Sequence, residues 1–432
     1  MRPGGKISAA IEILSDFETR RVPLKTCIAD WARGARYAGA KDRAWISGLC
    51  LDVLRRRGSL ALAAGDDGAR GLVIAALAGL WRLDRKEIEE ACADEHGPGP
   101  LTQADHAALA AGDGSPADGV RDIPDWTRPM FERAFGDAAG VEAAGFAERA
   151  DIDLRLNTLK ATPEKALAAL KAVRGERIPY LANAARIAAP APSEKAPAVT
   201  VIPAFNKGWV EVQDLGSQIA AAAAGDVKGA QVLDYCAGGG GKTLALAAMM
   251  ENTGQLYAYD RDPRRLKPIF HRAKRAGVRN LQVSSPADDG GLDDLKSKMD
   301  VVFVDAPCTG AGTWRRHPDA KWRLTPQQLA RRIAEQDAVL IEAGTFVRPG
   351  GRLIYVTCSP FVEENEDRLA AFRRDASGFE FIDAVAEIDA SGLLTDDGRA
   401  TLSSCAAPDG ALRLSPARLR CDGFFIAVLK RG

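Results

Sequence analysis

The second half of the chain alternates short apolar segments with segments long enough to form helices, and this alternation constrains the fold more than any other feature. Strands separated by helix-length segments predict right-handed crossovers, and therefore an α/β fold with a mostly parallel sheet and helices on both faces. Ligands bind such sheets at the carboxyl ends of the strands. The candidate strands, all between residues 205 and 432, are Gln231–Asp234, Gln255–Tyr259, Asp300–Asp305, Gly351–Thr357 and Gly423–Leu429.

Residues 1 to about 150 show a different pattern, with apolar residues at helical spacings and almost no strand signal, which predicts a helical bundle. Residues 1–60 carry 12 basic and 6 acidic groups, whereas residues 61–150 carry 8 basic and 17 acidic groups. The basic half includes Arg55-Arg56-Arg57. It is either a surface that binds nucleic acid or an ordinary solvated helix face.

A chain of 432 residues, 46% hydrophobic and 27% charged, has the composition of a soluble globular protein of several domains. Alternation of polar and apolar residues at Asp151–Leu159, followed by an Ala- and Pro-rich stretch at Ala188–Thr200, indicates a small α+β connecting region. The predicted domains are therefore 1–140, 141–204 and 205–432.

Charge and cysteine usage narrow the class of protein. The 58 basic and 58 acidic groups sum to zero, so bulk charge gives no reason to expect a polyanionic partner. Eight scattered cysteines without a CxxC pair indicate a reducing compartment and predict no metal site. Neither a signal peptide nor a long apolar run is found, so we expect a cytoplasmic protein without membrane contact, and we favour a monomer.

Four consecutive glycines, Gly238 to Gly241, follow the first strand. Between a strand and a helix, they let the backbone approach a ligand and direct the N–H groups of the helix toward it. A nucleotide-phosphate loop would need Gly in place of Cys236, and a dinucleotide loop would need Gly in place of Thr243. Asp260 ends the second strand, where a carboxylate can accept ribose hydroxyls, although such an acid more often caps a turn. Together, the loop and the acid predict a nucleoside cofactor such as S-adenosylmethionine.

Two cysteines follow neighbouring strands, Cys308 within Asp305–Cys308 (DAPC) and Cys358 within Thr357–Ser359 (TCS). A lone cysteine is usually a small buried hydrophobe, but two at the ends of adjacent parallel strands would face one cleft. After Cys358, Ser359 and Pro360 are expected to begin a helix whose N-terminus favours the thiolate.

A thiolate in this position suits methyl transfer to carbon 5 of cytosine. That carbon is a poor nucleophile until a thiolate adds at carbon 6 and breaks the aromaticity of the ring. Charge then accumulates toward N3, where Asp305 can donate a proton or a hydrogen bond. A base must finally remove the carbon 5 proton so that the sulfur leaves.

Short motifs spread over nearly the whole chain resemble those of one family, the Nop/Sun family of RNA cytosine-5 methyltransferases. The helical start is similar to the NusB-like RNA-binding domain of its bacterial ribosomal-RNA members. The motifs are Arg155–Leu159, Val212–Gln218, Asp234–Thr243, Asp305–Cys308, Arg315–Asp319, Thr357–Ser359 and Asp422–Ala427.

The resemblance implies a Rossmann-like class I methyltransferase domain preceded by an all-α NusB-like domain. It implies that Cys358 is the nucleophile, that Cys308 assists release of the methylated base, and that Asp305 contacts the cytosine and borders the cofactor. The residues that it implies for S-adenosylmethionine are Cys236, Ala237, Gly238, Gly239, Gly240, Gly241, Lys242, Asp260, Asp305 and an acid at Asp288 or Asp289.

Two positions depart from the family pattern. Gly238 and Gly239 stand where the family usually has Ala-Pro, so we expect a more flexible loop and weaker cofactor affinity. An ungapped comparison places Pro286 where the adenine-contacting acid should be, and Asp288 or Asp289 requires a shift of two or three residues.

Basic residues near the predicted cleft indicate an RNA partner. Arg261–Asn280 holds eight Lys or Arg residues against one acidic residue, although a solvated helix face would look the same. Catalysis on a base requires the base to be unstacked, which favours a loop or a partly folded RNA. The predicted RNA-binding residues are Arg155, Asn157, Arg264, Arg265, Arg315 and Arg316.

The leading hypothesis is an S-adenosylmethionine-dependent RNA cytosine-5 methyltransferase that acts on ribosomal RNA. One alternative is a DNA cytosine-5 methyltransferase, which would use Cys308 as its nucleophile. Another is a non-catalytic RNA-binding assembly factor that keeps the fold.

Overall fold

The computed structural model describes residues 1–111, 119–192, 194, 197–286, 292–376 and 378–432. They belong to two compact units. The first contains Met1–Arg149, Ala189–Ala196 and Thr313–Thr325; the second contains Ala150–Ala188, Pro197–Gly312 and Pro326–Gly432. These bounds differ from those of the three predicted domains, and the division into domains 1–140, 141–204 and 205–432 stays a prediction.

The first unit is helical, as the apolar periodicity predicts. Apolar residues at spacings of three and four, such as Leu49 and Val53, form its buried core. None of the helices in the described part of the chain is long and apolar enough to span a bilayer. Its α-helices are Pro3–Arg20, Leu24–Gly34, Ala40–Arg55, Arg57–Ala64, Ala69–Ala75, Arg85–Ala93, Gln103–Ala111, Arg128–Phe135, Ala139–Gly145 and Pro318–Arg323.

The run Arg55-Arg56-Arg57 forms ion pairs within the first unit. Arg55 pairs with Asp52 at 2.6 Å, Arg57 pairs with Glu18 at 2.6 Å, and Arg56 pairs with Glu148. Since each guanidinium already has a carboxylate partner, this run contributes less free positive charge than the sequence suggests.

Residues 313–325 follow the Cys308 motif in sequence but pack within the helical unit. The Lys321 Nζ atom is fully buried and donates to the backbone oxygen of Arg55 at 3.0 Å. The Trp322 Nε1 atom donates to the backbone oxygen of Leu54 at 2.7 Å, and the Arg55 Nε atom donates to the backbone oxygen of Arg315 at 2.8 Å. The segment is therefore held by the end of the helix Ala40–Arg55.

The burial of Lys321 has a consequence for stability. Loss of hydration lowers the pKa of Lys321 to about 7, despite the nearby carboxylate of Asp122. An unfolded lysine titrates near 10.4, so between these values the unfolded chain binds more protons, and stability must rise with pH.

We therefore expect the unfolding free energy of the wild type to rise relative to that of Lys321→Met by about 1.4 kcal/mol per pH unit between roughly pH 7.5 and 9.5. Urea denaturation of both proteins across this range measures the slope, because the titrations that they share cancel in the difference. Parallel pH profiles for the two proteins would contradict the buried position of Lys321.

The second unit contains a small antiparallel sheet of four strands in the order β2-β3-β1-β4. The helices Pro163–Ala168 and Pro203–Asn206 accompany it. Leu154 and Leu156 lie in its fully buried core, consistent with the alternating pattern of the connecting region. The strands are β1 (Ile152–Leu156), β2 (Glu176–Arg177), β3 (Ala184–Ile187) and β4 (Val210–Val212).

The second unit also contains an eight-stranded sheet, and all five predicted strands belong to it. Five neighbouring strands, β9-β8-β5-β6-β7, are parallel, and β12 joins β9 in antiparallel orientation. The sequence did not reveal β7, β10 and β11, which are only three or four residues long. The strands are β5 (Gln231–Asp234), β6 (Gln255–Tyr259), β7 (Leu281–Ser284), β8 (Met299–Asp305), β9 (Val347–Thr357), β10 (Phe379–Ile382), β11 (Leu412–Leu414) and β12 (Phe424–Arg431).

Helices cover both faces of this sheet and produce two separate apolar cores, one containing Ile219 and Leu246 and the other containing Leu340 and Phe372. Strand order reverses between β5 and β8, which creates a crevice at their carboxyl ends. The α-helices are Leu215–Ala222, Gly241–Met249, Pro263–Ala276, Pro326–Gly344, Glu366–Asp375, Ala384–Ala390, Asp396–Ser403 and Pro416–Leu419.

Candidate active site

The glycine loop joins β5 to the helix Gly241–Met249. Gly238 and Gly240 have φ values of 51° and 80°, in the left-handed region that favours glycine. A Cβ atom at Gly240 would also lie 2.4 Å from the Cγ1 atom of Ile269, so no larger residue fits there. The loop thus provides a close backbone approach and the N–H groups of the first helical turn, which is the cradle that a nucleoside cofactor requires.

Hydrogen bonds hold this loop in place although it lacks the Ala-Pro of the family pattern. The backbone N–H groups of Ala237 and Gly238 donate to Tyr259 O at 2.9 Å and to Asp260 Oδ2 at 3.0 Å. The Arg272 guanidinium donates to Gly239 O at 2.6 Å. These contacts restrain the loop that we expected to be more flexible.

Asp260 lies at the end of β6, as predicted, and its side chain is buried. Its Oδ1 atom accepts the N–H of Asp262 at 2.9 Å, and Arg265 pairs with its Oδ2 atom at 3.1 Å. A carboxylate oxygen has two lone pairs, so Asp260 keeps acceptor capacity for the hydroxyls of a ribose. The loop and this acid together fit S-adenosylmethionine.

Replacement of Asp260 by asparagine should weaken S-adenosylmethionine binding by about 10- to 100-fold, since a hydrogen bond to a charged group contributes roughly 1.5–3 kcal/mol. Asp262→Asn is the matched control, because Asp262 caps the helix Pro263–Ala276 and asparagine caps as well. Calorimetric titration of both variants decides the point. Equal dissociation constants would show that Asp260 does not contact the cofactor.

Lys242 and Asp305 form an ion pair inside the crevice. The Lys242 Nζ atom lies 2.7 Å from Asp305 Oδ2, and the lysine side chain is 10% exposed. Burial lowers the pKa of Lys242, but the Asp305 carboxylate and the neighbouring Cys358 sulfur outweigh this and raise it above its usual value. The ammonium group is therefore charged and directed at the acid, which the sequence did not indicate for a residue of the cofactor loop.

The structure brings the two predicted cysteines together. The Sγ atoms of Cys308 and Cys358 lie 3.3 Å apart, and both residues are partly exposed. The hydrogen bond with Cys358 and burial raise the pKa of Cys308 well above its ordinary value. The two cysteines follow the adjacent parallel strands β8 and β9, as the strand-end argument predicts.

A backbone clamp fixes the position of Cys358. The N–H of Gly312 donates to Cys358 O at 2.9 Å, and the N–H of Gly423 donates to Gly312 O at 2.8 Å. A Cβ atom at Gly312 would lie 2.0 Å from Gly423 O, so only glycine permits this approach. The loops after β8 and β9 are thereby fixed to the start of β12.

The segment after Cys358 differs from the prediction. A 3-10 turn spans Val362–Glu364, and the α-helix begins only at Glu366. Ser359 accepts the N–H of Phe361 at 3.3 Å but caps no helix. The predicted helix N-terminus directly after Cys358 is therefore wrong, and the dipole argument for its thiolate no longer holds.

Glu364 holds the loop after Cys308 in place by hydrogen bonds, a role that the sequence did not reveal. Its carboxylate accepts the Thr309 N–H at 2.8 Å, the Thr309 hydroxyl at 2.6 Å and the Gln336 side-chain amide at 3.0 Å. Burial raises the pKa of Glu364 above its ordinary value. No sequence signal connects these residues, because they come from three separate segments.

The predicted RNA contacts divide into buried and exposed residues. Arg155 and Asn157 are 2% and 1% exposed, and Asn157 donates to Gly208 O and Ala276 O at 2.8 Å each. Arg315 is 2% exposed as well. All three side chains are buried in this structure, and their contact with RNA stays a prediction.

The other predicted contacts lie nearer the surface. Arg264 and Arg265 are 83% and 58% exposed and pair with Asp262 and Asp260, while Arg316 is partly exposed. The predicted adenine-contacting acid, Asp288 or Asp289, lies outside the described residues.

Comparison with protein families gives one match over much of the second unit. A family model described as 16S rRNA methyltransferase RsmB/F matches residues 224–430. The probable ribosomal RNA small subunit methyltransferase B of Synechocystis sp. is 30% identical over 318 residues, covering 72% of this chain and 67% of that protein. The ribosomal RNA small subunit methyltransferase B of Klebsiella pneumoniae is 30% identical over 292 residues, covering 66% of this chain and 64% of that protein. The chain thus spans about two thirds of these curated relatives.

Solved structures show the same fold. PH0851 aligns over 100% of this chain and 99% of its own, with a TM-score of 0.72 and 24% identity. NSun6 from Pyrococcus horikoshii, solved with SFG, aligns over 71% of this chain and 98% of its own, with a TM-score of 0.60 and 23% identity.

Proposed function

Because the chain belongs to the RsmB/F family of 16S rRNA methyltransferases, we propose that it transfers a methyl group to carbon 5 of a cytosine in small-subunit ribosomal RNA through a covalent Cys358 adduct. S-adenosylmethionine, the cofactor of this methyltransferase fold, supplies an electrophilic methyl group when bound. The observation that carries the proposal is the 3.3 Å approach of the Cys308 and Cys358 sulfurs beside the glycine loop.

Cys358 is the nucleophile. Its sulfur bonds to carbon 6 of the cytosine, and the electrons of the C5–C6 double bond make carbon 5 nucleophilic. The Lys242 ammonium interacts electrostatically with this sulfur and places a fixed positive charge beside it in the crevice.

Asp305 binds the ring of the target base. Addition at carbon 6 moves negative charge toward N3, and Asp305 relays a proton from the Lys242 ammonium to this nitrogen, which neutralises the charge. The ion pair with Lys242 fixes the orientation of the carboxyl group and connects it to the nucleophile. A low-dielectric crevice makes both interactions stronger than they would be in water.

Cys308 assists release of the product. It removes the proton from carbon 5, the C–H electrons re-form the C5–C6 double bond, and the Cys358 sulfur leaves carbon 6. Adduct formation turns Cys358 into a neutral thioether, which removes two of the influences that raise the pKa of Cys308. Cys308 thus deprotonates more readily, so that its thiolate is available as the base at the step that needs one.

The RNA must present the target cytosine out of its stack, because the cysteines lie within a crevice. We place this reaction in the cytoplasm, where the RNA of the small ribosomal subunit occurs. No contact of the described residues favours DNA, and the raised pKa of Cys308 weakens its case as the alternative nucleophile.

Bisulfite sequencing of small-subunit ribosomal RNA tests the proposal. A strain without the gene should lose methylation at a specific cytosine, the wild-type gene should restore it, and a Cys358→Ala gene should not. Unchanged methylation of every ribosomal RNA cytosine, together with no methyl transfer to this RNA by the purified protein, would overturn it.

A further inference from the structure

A cavity lined by basic and aromatic side chains lies in the second unit, and the proposed methyl transfer does not use it. Its volume is about 770 Å³. Its lining includes Lys160, Phe205, Lys207, Trp209, His271 and Lys274. None of these side chains is acidic, so the cavity suits an anionic ligand.

Cationic side chains lie against the faces of the two lining rings, Trp209 and Phe205. Lys165 and Lys207 place their Nζ atoms 4.6 and 4.9 Å from the ring centroid of Trp209, and the Arg275 guanidinium lies 3.9 Å from that of Phe205. Both rings remain partly exposed. This interleaving of ammonium groups and π faces is the arrangement that single-stranded nucleic acid uses, with phosphates on cations and bases on rings.

The cations divide into neutralised and available groups. Buried Glu211 pairs with Arg272 and with Arg275, of which Arg275 lines the cavity. In the described part of the chain, Lys160, Lys207 and Lys274 form no ion pair, and all three are exposed. The two arginines are therefore neutralised by Glu211, and the lysines supply uncompensated charge.

The helix Pro263–Ala276 extends this surface. Lys267, Phe270, His271 and Lys274 are exposed and recur at spacings of three and four, which places them on one face. Phe270 is 62% exposed, an unusual position for an aromatic side chain with no apolar cover. This face of the helix therefore combines cationic side chains with one exposed aromatic ring, and the lining of the cavity has the same composition.

We infer that this surface, defined by Lys160, Lys207, Trp209, Phe270 and Lys274, binds single-stranded RNA that flanks the target cytosine. The inference rests on the proposed function for the identity of the RNA. Phosphates contact the three lysines, a base stacks on Phe270, and the chain passes over the exposed part of Trp209. Because the uncompensated charge is on three exposed lysines, while the partly buried arginines are already paired, the surface suits a chain of phosphates better than one buried anion.

Charge reversal tests the lysines. The triple variant Lys160→Glu/Lys207→Glu/Lys274→Glu is compared with Lys171→Glu/Lys298→Glu/Lys430→Glu, which changes three exposed lysines of the same unit by the same charge. Fluorescence anisotropy with transcribed 16S rRNA and with an unstructured 20-nucleotide RNA gives affinities at several salt concentrations. We expect the first variant to bind at least about 10-fold more weakly than the control, with a salt slope shallower by about 2, or roughly 0.7 per lost phosphate contact.

Phe270→Ala tests the stacking without disturbing the core, because the ring is exposed. Its affinity should fall about 5- to 100-fold with an unchanged salt slope, and Phe270→Tyr should restore it. Equal binding of the patch and control variants would overturn the inference. The inference would also be overturned if the patch variant bound RNA as tightly as the control but bound an acidic protein more weakly.

Methylation assays separate this inference from the proposed function. If the wild type methylates 16S rRNA, the patch variant should raise KM and leave kcat nearly unchanged. If the wild type methylates no RNA, the proposed function fails, and the binding comparison still decides whether the surface contacts RNA.

Discussion

Cys358→Ala should abolish methyl transfer, with kcat lower by at least about 10⁴-fold, the scale found when a covalent nucleophile is removed from other enzymes. Without the thiolate, carbon 5 of the cytosine stays part of an aromatic ring and cannot attack the methyl group. The measurement is transfer of tritiated methyl groups to small-subunit ribosomal RNA under single-turnover conditions.

Two controls separate chemistry from folding. Cys358→Ala should bind S-adenosylmethionine with nearly wild-type affinity, because the glycine loop and Asp260 are intact. Cys405→Ala removes a fully buried thiol from the core of the same unit and should retain activity. A Cys358→Ala protein that transfers methyl groups at a rate near that of the wild type would remove Cys358 from the mechanism.

Asp305→Asn should lower kcat by about 10²- to 10³-fold with little change in KM for RNA, since its contact with N3 strengthens only as negative charge develops in the ring. The substitution also removes the counter-charge of Lys242, whose side chain is 10% exposed. Asp294→Asn, at an exposed position before the same strand, is the matched control and should retain wild-type rates.

A double variant tests whether Lys242 and Asp305 act together. Lys242→Met/Asp305→Asn should be no slower than the slower of the two single variants, because both substitutions break one unit. Fully additive losses would show that Lys242 and Asp305 act independently. An Asp305→Asn protein with unchanged kcat would exclude the proposed contact with the base.

Features whose signal is local could be predicted from the sequence. The glycine loop, Asp260 and the two cysteines each follow an apolar strand, and parallel strands end at one edge of the sheet whatever the remaining contacts are. That rule predicts that the two cysteines share one cleft, and in the structure their sulfurs lie 3.3 Å apart. The strands β7, β10 and β11 that the sequence missed have three or four residues, too few for periodicity to detect, whereas the equally short β5 is marked by the glycine loop that follows it.

Features that depend on partners distant in sequence could not be predicted. Arg155, Asn157 and Arg315 looked like phosphate contacts because basic and amide side chains are usually exposed, yet all three are buried. The packing of residues 313–325 within the helical unit depends on backbone acceptors about 260 residues earlier in the chain, as in the bond from Lys321 to Arg55. Glu364 was missed for the same reason, since its donors Thr309 and Gln336 lie 55 and 28 residues away.

The covalent bond itself gives the most direct test. Cys308→Ala, which lacks the group that assists release, is incubated with S-adenosylmethionine and small-subunit ribosomal RNA, digested with nuclease and protease, and analysed by mass spectrometry. We predict a nucleotide attached to the peptide that contains Cys358, and no attachment in Cys308→Ala/Cys358→Ala. Attachment that persists in the double variant, or that maps to any residue other than Cys358, would contradict the mechanism.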